Sequence, residues 1–207
     1  MKRAFVATWL AVALAGCSGL NLAPTQAEQF LVLDVPRPAT PVSPVSPARA
    51  PRREGSLLLA PTLATAFYDS TDIAFSKSAG TRGRYQFSHW TEPPGQRIGA
   101  LLATRLQASG MFRSIAASNS GVRGRWLLRT QVDEIYHDAS GSPGTARLTV
   151  SAELSDPGRR ELLGRRSFSA VVPAASFDAE GAARGLSTAL AQVLDELTAW
   201  VEATAVE

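Results

Sequence analysis

The clearest hydrophobic patterning lies in the second half of the chain. In ARLTVSAEL, residues 146–154, Ala146, Leu148, Val150, Ala152 and Leu154 alternate with Arg147, Thr149, Ser151 and Glu153. That period of two predicts a strand burying one face. RWLLRTQVDEIYH, residues 125–137, repeats it, with Trp126, Leu128, Thr130 and Val132 set against Arg129, Gln131 and Asp133. Asp156-Pro157-Gly158-Arg159 follows as turn chemistry: proline presets φ at the second position and glycine accepts a positive φ at the third. The chain then returns through Phe168, Ala170 and Val172, alternating with Ser167, Ser169 and Val171. The outcome is an antiparallel meander with one apolar face.

Two stretches change to helical spacing. Leu186, Leu190, Val193, Leu197 and Trp200 recur every three or four residues, which predicts a closing helix that covers the meander. A coiled-coil seam is the other reading of such a stripe, but it is short and lacks sustained flanking charge pairs. Asp178 and Glu180 suit the positive end of its dipole. Ile98, Leu101, Leu102 and Leu106 define a second helix from Gln96, and Gly110 stands where a glycine would end it. Short strands are predicted at residues 56–59, 73–75 and 85–87, the last two separated by a turn in SAGTRGR. Gln29-Phe30-Leu31-Val32-Leu33 reads as a buried strand. The architecture expected is α+β: a mostly antiparallel sheet with two amphipathic helices packed on one face.

Composition alters this picture at two places. Six of the 13 prolines fall between Pro36 and Pro51, so residues 36–54 are expected to form an extended, disordered loop. A strand followed by a loop within the domain is the reading preferred over a tether running to residue 54. The other place is the N-terminus. Lys2 and Arg3 precede an apolar run too short to span a bilayer, and the one cysteine, Cys17, stands directly behind it. Residues 1–16 are therefore read as a signal peptide, 17–27 as a tether and 28–207 as a single domain. Loss of Lys2 and Arg3 lowers the formal charge from +3 to +1, which gives no electrostatic support to a nucleic-acid partner.

Candidate chemistry is sparse. A lone thiol closes no internal disulfide. The sequence has no phosphate loop, no Gly-x-Ser-x-Gly elbow and no His-Glu-x-x-His motif. Only His89 and His137 are available as bases or ligands. They are read as strand-end residues on a solvated face, and no nucleophile partners either of them. No enzyme activity, cofactor or metal is expected.

Leu14-Ala15-Gly16-Cys17 resembles the lipobox of bacterial lipoproteins. The resemblance implies cleavage between Gly16 and Cys17 and acylation, including palmitate, on Cys17. Ser18 at the next position implies sorting to the outer membrane, on its periplasmic face. RYQFSHWTEPP, residues 84–94, resembles the ABC-type transport auxiliary lipoproteins, the PqiC-like family. The likeness continues through LLATRLQASGMFRSI, the meander and the last helix. It implies a non-enzymatic component of a lipid-transport system. The expected partner is a periplasmic MCE-domain protein, with an ABC permease and ATPase as indirect partners, and a homo-oligomer is left open. Phe87, Trp90, Glu92, Pro93 and Pro94 are the candidate contact residues, with a core role for Trp90 and a helix-starting role for the prolines as the alternative. The second functional reading is an assembly lipoprotein of another cell-envelope complex.

Overall fold

A computed structural model describes residues 27–35 and 53–205. The signal peptide, Gly16, Cys17, nearly all of the tether and most of the Pro-rich segment lie outside the described residues. The elements in chain order are β1 (Gln29–Leu31), β2 (Arg53–Leu59), β3 (Leu63–Ala64), β4 (Asp72–Ser76), β5 (Gly83–Trp90), α1 (Pro94–Ser109), β6 (Phe112–Ala117), β7 (Trp126–Asp138), β8 (Thr145–Asp156), β9 (Glu161–Pro173) and α2 (Ala179–Thr204). Arg53 and Glu54, expected in the loop, already belong to β2.

β7 is the spine of the sheet. One edge pairs antiparallel with β8 from Leu127↔Ser155 to Asp138↔Thr145, and β9 adds antiparallel to β8. Three short strands share the other edge in succession, all parallel to β7: β2 through Leu57↔Trp126, β3 through Leu63↔Gln131 and β4 through Phe75↔His137. Beyond them the sheet forks. β6 joins β2 in parallel, while β5 joins β4 antiparallel and β1 joins β5 in parallel. The sheet is therefore mixed rather than mostly antiparallel, although the C-terminal meander is antiparallel as expected. Alternation shows which face a strand buries and is silent on the direction of its neighbours, so the parallel half left no mark in the pattern.

β8 keeps strict alternation, each even-numbered residue from Ala146 to Asp156 being buried. β7 keeps it only as far as Val132. A bulge there shifts the register between Val132↔Val150 and Glu134↔Thr149. The extra residue turns Ile135 and His137 toward the core, where a simple count of two would place Glu134, and Tyr136 between them is buried as well. In the β8–β9 turn the positive φ falls on Arg160, at 56°, and not on Gly158.

Both helices lie on the apolar face, α2 against β7, β8 and β9, and α1 against β3, β6 and β7 and alongside α2. Asp178 caps α2 by accepting from the Gly181 amide at 2.7 Å. Its buried stripe runs through Leu186, Leu190, Val193, Leu197 and Val201, and Trp200 sits edge-on to Phe168 at 5.7 Å. α1 begins at Pro94, two residues before the expected start, because proline's fixed φ suits a first helical position whose N–H has no partner in any case. Gly110 ends it in the left-handed region, at φ 65°. Ile98, Leu102 and Leu106 join the same continuous core.

A candidate docking surface on the edge strands

β5 carries two of the five residues expected to contact a partner, Phe87 and Trp90, and the other three follow it before or at the start of α1. Trp90 is 2% exposed and packs in the core. Its backbone N–H donates to the Thr71 carbonyl at 2.6 Å, and it lies opposite Leu31 of β1. This side chain presents no surface of its own. Pro94 is also buried, whereas Phe87, Glu92 and Pro93 are half-buried.

The Glu92-Pro93-Pro94 step has a structural task. Arg97, in the first turn of α1, donates from Nε to the Leu33 carbonyl at 2.8 Å and reaches Asp34 at 3.2 Å and Glu92 at 3.8 Å. Together with the Thr91 N–H donating to the Leu31 carbonyl at 3.0 Å, this guanidinium fastens the end of β1 to the start of α1.

β1 is an edge strand with β5 as its neighbour. The run read as a buried strand buries only Leu33. Phe30 is 62% exposed and Val32 is 54% exposed. An unbroken apolar run does not distinguish a core strand from an edge strand, and on an edge one flank has no protein against it. Phe30 faces His89 across the pair at 5.8 Å between ring centroids. His89 Nδ1 is 3.5 Å from Asp72, which also takes the Arg84 guanidinium at 3.0 Å. Arg84 lies over the Phe67 ring at 4.4 Å. Val32 borders an open groove of about 890 Å³ between the end of β1 and the first half of α2, where Asp34, Arg184 and Ser187 supply polar groups. At this edge the exposed apolar side chains are Phe30 of β1 and Val32 just after it, with Phe87 and Pro93 half-buried on the neighbouring segment.

His137 was expected on a solvated face and is fully buried, a consequence of the bulge in β7. Its Nε2–H donates to the Pro143 carbonyl at 2.8 Å, which leaves Nδ1 to accept from the Tyr85 hydroxyl at 2.7 Å. Burial, followed by the charge of Asp178, pushes the Tyr85 phenol up to about 12. The ring's polar partners are therefore a phenol and a carbonyl, in an arrangement that fastens the β7–β8 connection to β5. Among the described residues no group of three or more His, Cys, Asp or Glu side chains is placed to hold a metal ion. Nor is any helix among them long and apolar enough to cross a membrane.

A mixed sheet closed on one face by two helices defines an α+β domain. The chain belongs to the ABC-type transport auxiliary lipoprotein components, whose family model matches residues 34–198. That family is one of auxiliary lipoproteins rather than enzymes, and it makes this chain a transport-associated lipoprotein. Membership in it fits attachment to a membrane by a lipid anchor. The fold is similar to that of a Xanthomonas campestris protein, with a TM-score of 0.71 at 22% identity over 85% of this chain and 96% of that one. It is also similar to a hypothetical protein from Chlamydia trachomatis, with a TM-score of 0.54 at 11% identity over 73% and 98% of the two chains. At these identities the likeness is one of fold. No curated protein matches the chain.

Proposed function

We propose that this protein is the outer-membrane-anchored periplasmic component of an ABC/MCE-type system that moves lipids or other hydrophobic molecules, and that it docks the periplasmic MCE-domain protein. The observation that carries this reading is the family match over residues 34–198. In this reading Cys17 follows the cleavage site at Gly16 and bears the acyl chains, since two or more chains anchor stably where one does not. The domain's part is to hold a partner near the membrane. Its contact surface is the β1–β5 edge, where Phe30 and Val32 are exposed and Phe87, Glu92 and Pro93 lie alongside. An edge strand suits such docking because its outward N–H and C=O groups are open to a further strand, and exposed aromatics supply the anchoring area.

The test is calorimetry and pull-down between the unacylated mature protein and the MCE-domain protein encoded with it. Binding is expected, and Phe30→Ala should weaken it about ten-fold or more, as loss of an aromatic anchor does. Absence of binding in both assays would overturn this reading in favour of an assembly role in another envelope complex.

A further inference from the structure

We infer that the end of the domain formed by the β8–β9 turn and the loop before β7 is a contact surface for an anionic phospholipid leaflet. The two segments are neighbours: Arg125 directly precedes β7, whose Leu127 lies opposite Ser155, next to the turn at residues 157–160. Each projects an aliphatic side chain into solvent, Leu162 at 56% and Val122 at 46% exposure.

Arginines surround both. The turn and the start of β9 carry Arg159, Arg160, Arg165 and Arg166, and the preceding loop carries Arg123 and Arg125. The carboxylates at this end are Glu153, Asp156 and Glu161, with Glu54 near the start of β2 and Glu202 in the last turn of α2. Glu153 is shared by Arg165 and Arg129, and Asp156 is held by Arg159, so these pairs leave one guanidinium in surplus. Arg123 and Arg160 make no ion pair or hydrogen bond among the described residues. Arg160 closes the turn with a positive φ, next to the paired Asp156↔Glu161.

This charge does not follow from composition, because the chain without Lys2 and Arg3 carries only +1. The opposite end, where β7 finishes and α2 begins, carries Asp138, Asp178 and Glu180, with Arg147 and Arg184 paired to Asp138 and Glu180. A local surplus of arginine orients a protein in a field without raising its net charge. Arginines around exposed aliphatics match a leaflet in chemistry, with guanidinium for phosphate and leucine for the acyl boundary. The reach of the N-terminal segment is compatible. Gln29 lies level with Ile135, near the far end of β7, about 30 Å from this end at 3.3 Å per residue. The ten residue steps from Cys17 to Ala27 span at most about 35 Å.

This inference goes beyond partner docking and depends neither on it nor on acylation. The test is co-sedimentation of the full mature chain carrying Cys17→Ser with vesicles of phosphatidylcholine, with and without phosphatidylglycerol. Binding is expected only with phosphatidylglycerol and should weaken as salt rises. Each basic residue near an anionic surface contributes roughly five-fold to affinity, so Arg123→Glu with Arg160→Glu should weaken binding about 25-fold or more. Leu162→Ser should weaken it as well, with the melting temperature unchanged in both variants. Failure of the unmutated chain to bind, equal binding to both vesicle types, or full binding by the charge-reversed chain would overturn the inference. So would loss of MCE-protein binding in that variant with vesicle binding intact, since the end would then be a protein interface. Loss of MCE-protein binding in Phe30→Ala bears only on the docking reading.

Discussion

Trp90→Ala separates the two roles open to the most conspicuous aromatic of the β5 segment. The ring is 2% exposed, and a tryptophan buries about 150–250 Å². At about 25 cal/mol per Å², that burial contributes roughly 4–6 kcal/mol as an upper bound. Truncations of buried Phe and Trp to Ala cost about 3–5 kcal/mol once the cavity is included, so about 4 kcal/mol is expected. For a domain of this size each kcal/mol shifts the melting temperature by roughly 2–4 °C. The variant should therefore melt about 8–16 °C lower while remaining folded at 25 °C, because domain stability is about 5–15 kcal/mol. Phe30→Ala is the control on the neighbouring strand. Its ring is 62% exposed, and the shift should stay within about 2 °C, as for other surface substitutions. Thermal denaturation followed by circular dichroism reads both. A Trp90→Ala protein melting within about 2 °C of the parent would refute the packing on which this reasoning rests.

Three further outcomes follow from particular groups. Cys17→Ala should move the protein from the membrane to the soluble periplasmic fraction, and sedimentation with membranes at high salt would contradict anchoring through acyl chains. Tyr85, raised to about 12 by burial and Asp178, ionises later in the folded than in the unfolded chain, whose tyrosines titrate near 10. Stability should therefore fall as pH rises from 10 toward 12, and urea titrations of Tyr85→Phe should show a shallower fall together with a loss of about 1–3 kcal/mol at neutral pH from the unpaired His137 nitrogen. The Gly181 amide and then the Ser176 hydroxyl hold the Asp178 carboxyl below its ordinary value of 3.8. Its contribution is complete above that value and is lost as pH falls through the lowered one, so Asp178→Ala should cost about 1 kcal/mol at neutral pH and less in acid, as read by denaturant midpoints.

What was legible in the sequence is what depends on a strand's own two faces or a helix's own stripe. β8 is buried at each position its alternation named. The stripe of α2 packs on the meander, with Asp178 at its cap and Gly110 at the end of α1. What was hidden depends on a partner distant in sequence. The bulge after Val132 is visible only in register with β8, and it takes His137 from the outer face to the core. The direction of β2, β3 and β4 along β7 has no local signal. Phe30 and Trp90 are adjacent to His89 and Leu31 across one strand pair, yet one is exposed and the other buried. Nothing in either local run distinguishes them, because the difference lies in which face the helices cover.

The two proposed surfaces lie on different margins of the sheet, one along the β1 edge and the other at the end where β7 begins. From β1 the order runs through β5, β4, β7 and β8 to β9, five strand spacings or about 24 Å at 4.8 Å each. A partner strand added to β1 would therefore leave the β8–β9 turn free to meet a leaflet. Sites this far apart with no shared contacts are expected to add independently. In Phe30→Ala combined with Arg123→Glu and Arg160→Glu, the losses in partner and vesicle binding should each match those of the separate variants. The physical gain from the arrangement is orientational. An acylated N-terminal segment alone would leave the domain free to tumble within its reach. A weak second contact on the same leaflet, strengthened by the high effective concentration of the tethered state, restricts that freedom and keeps the β1 edge directed away from the β9 side. The leaflet contact can then be too weak to anchor the protein by itself and still determine which surface the partner meets.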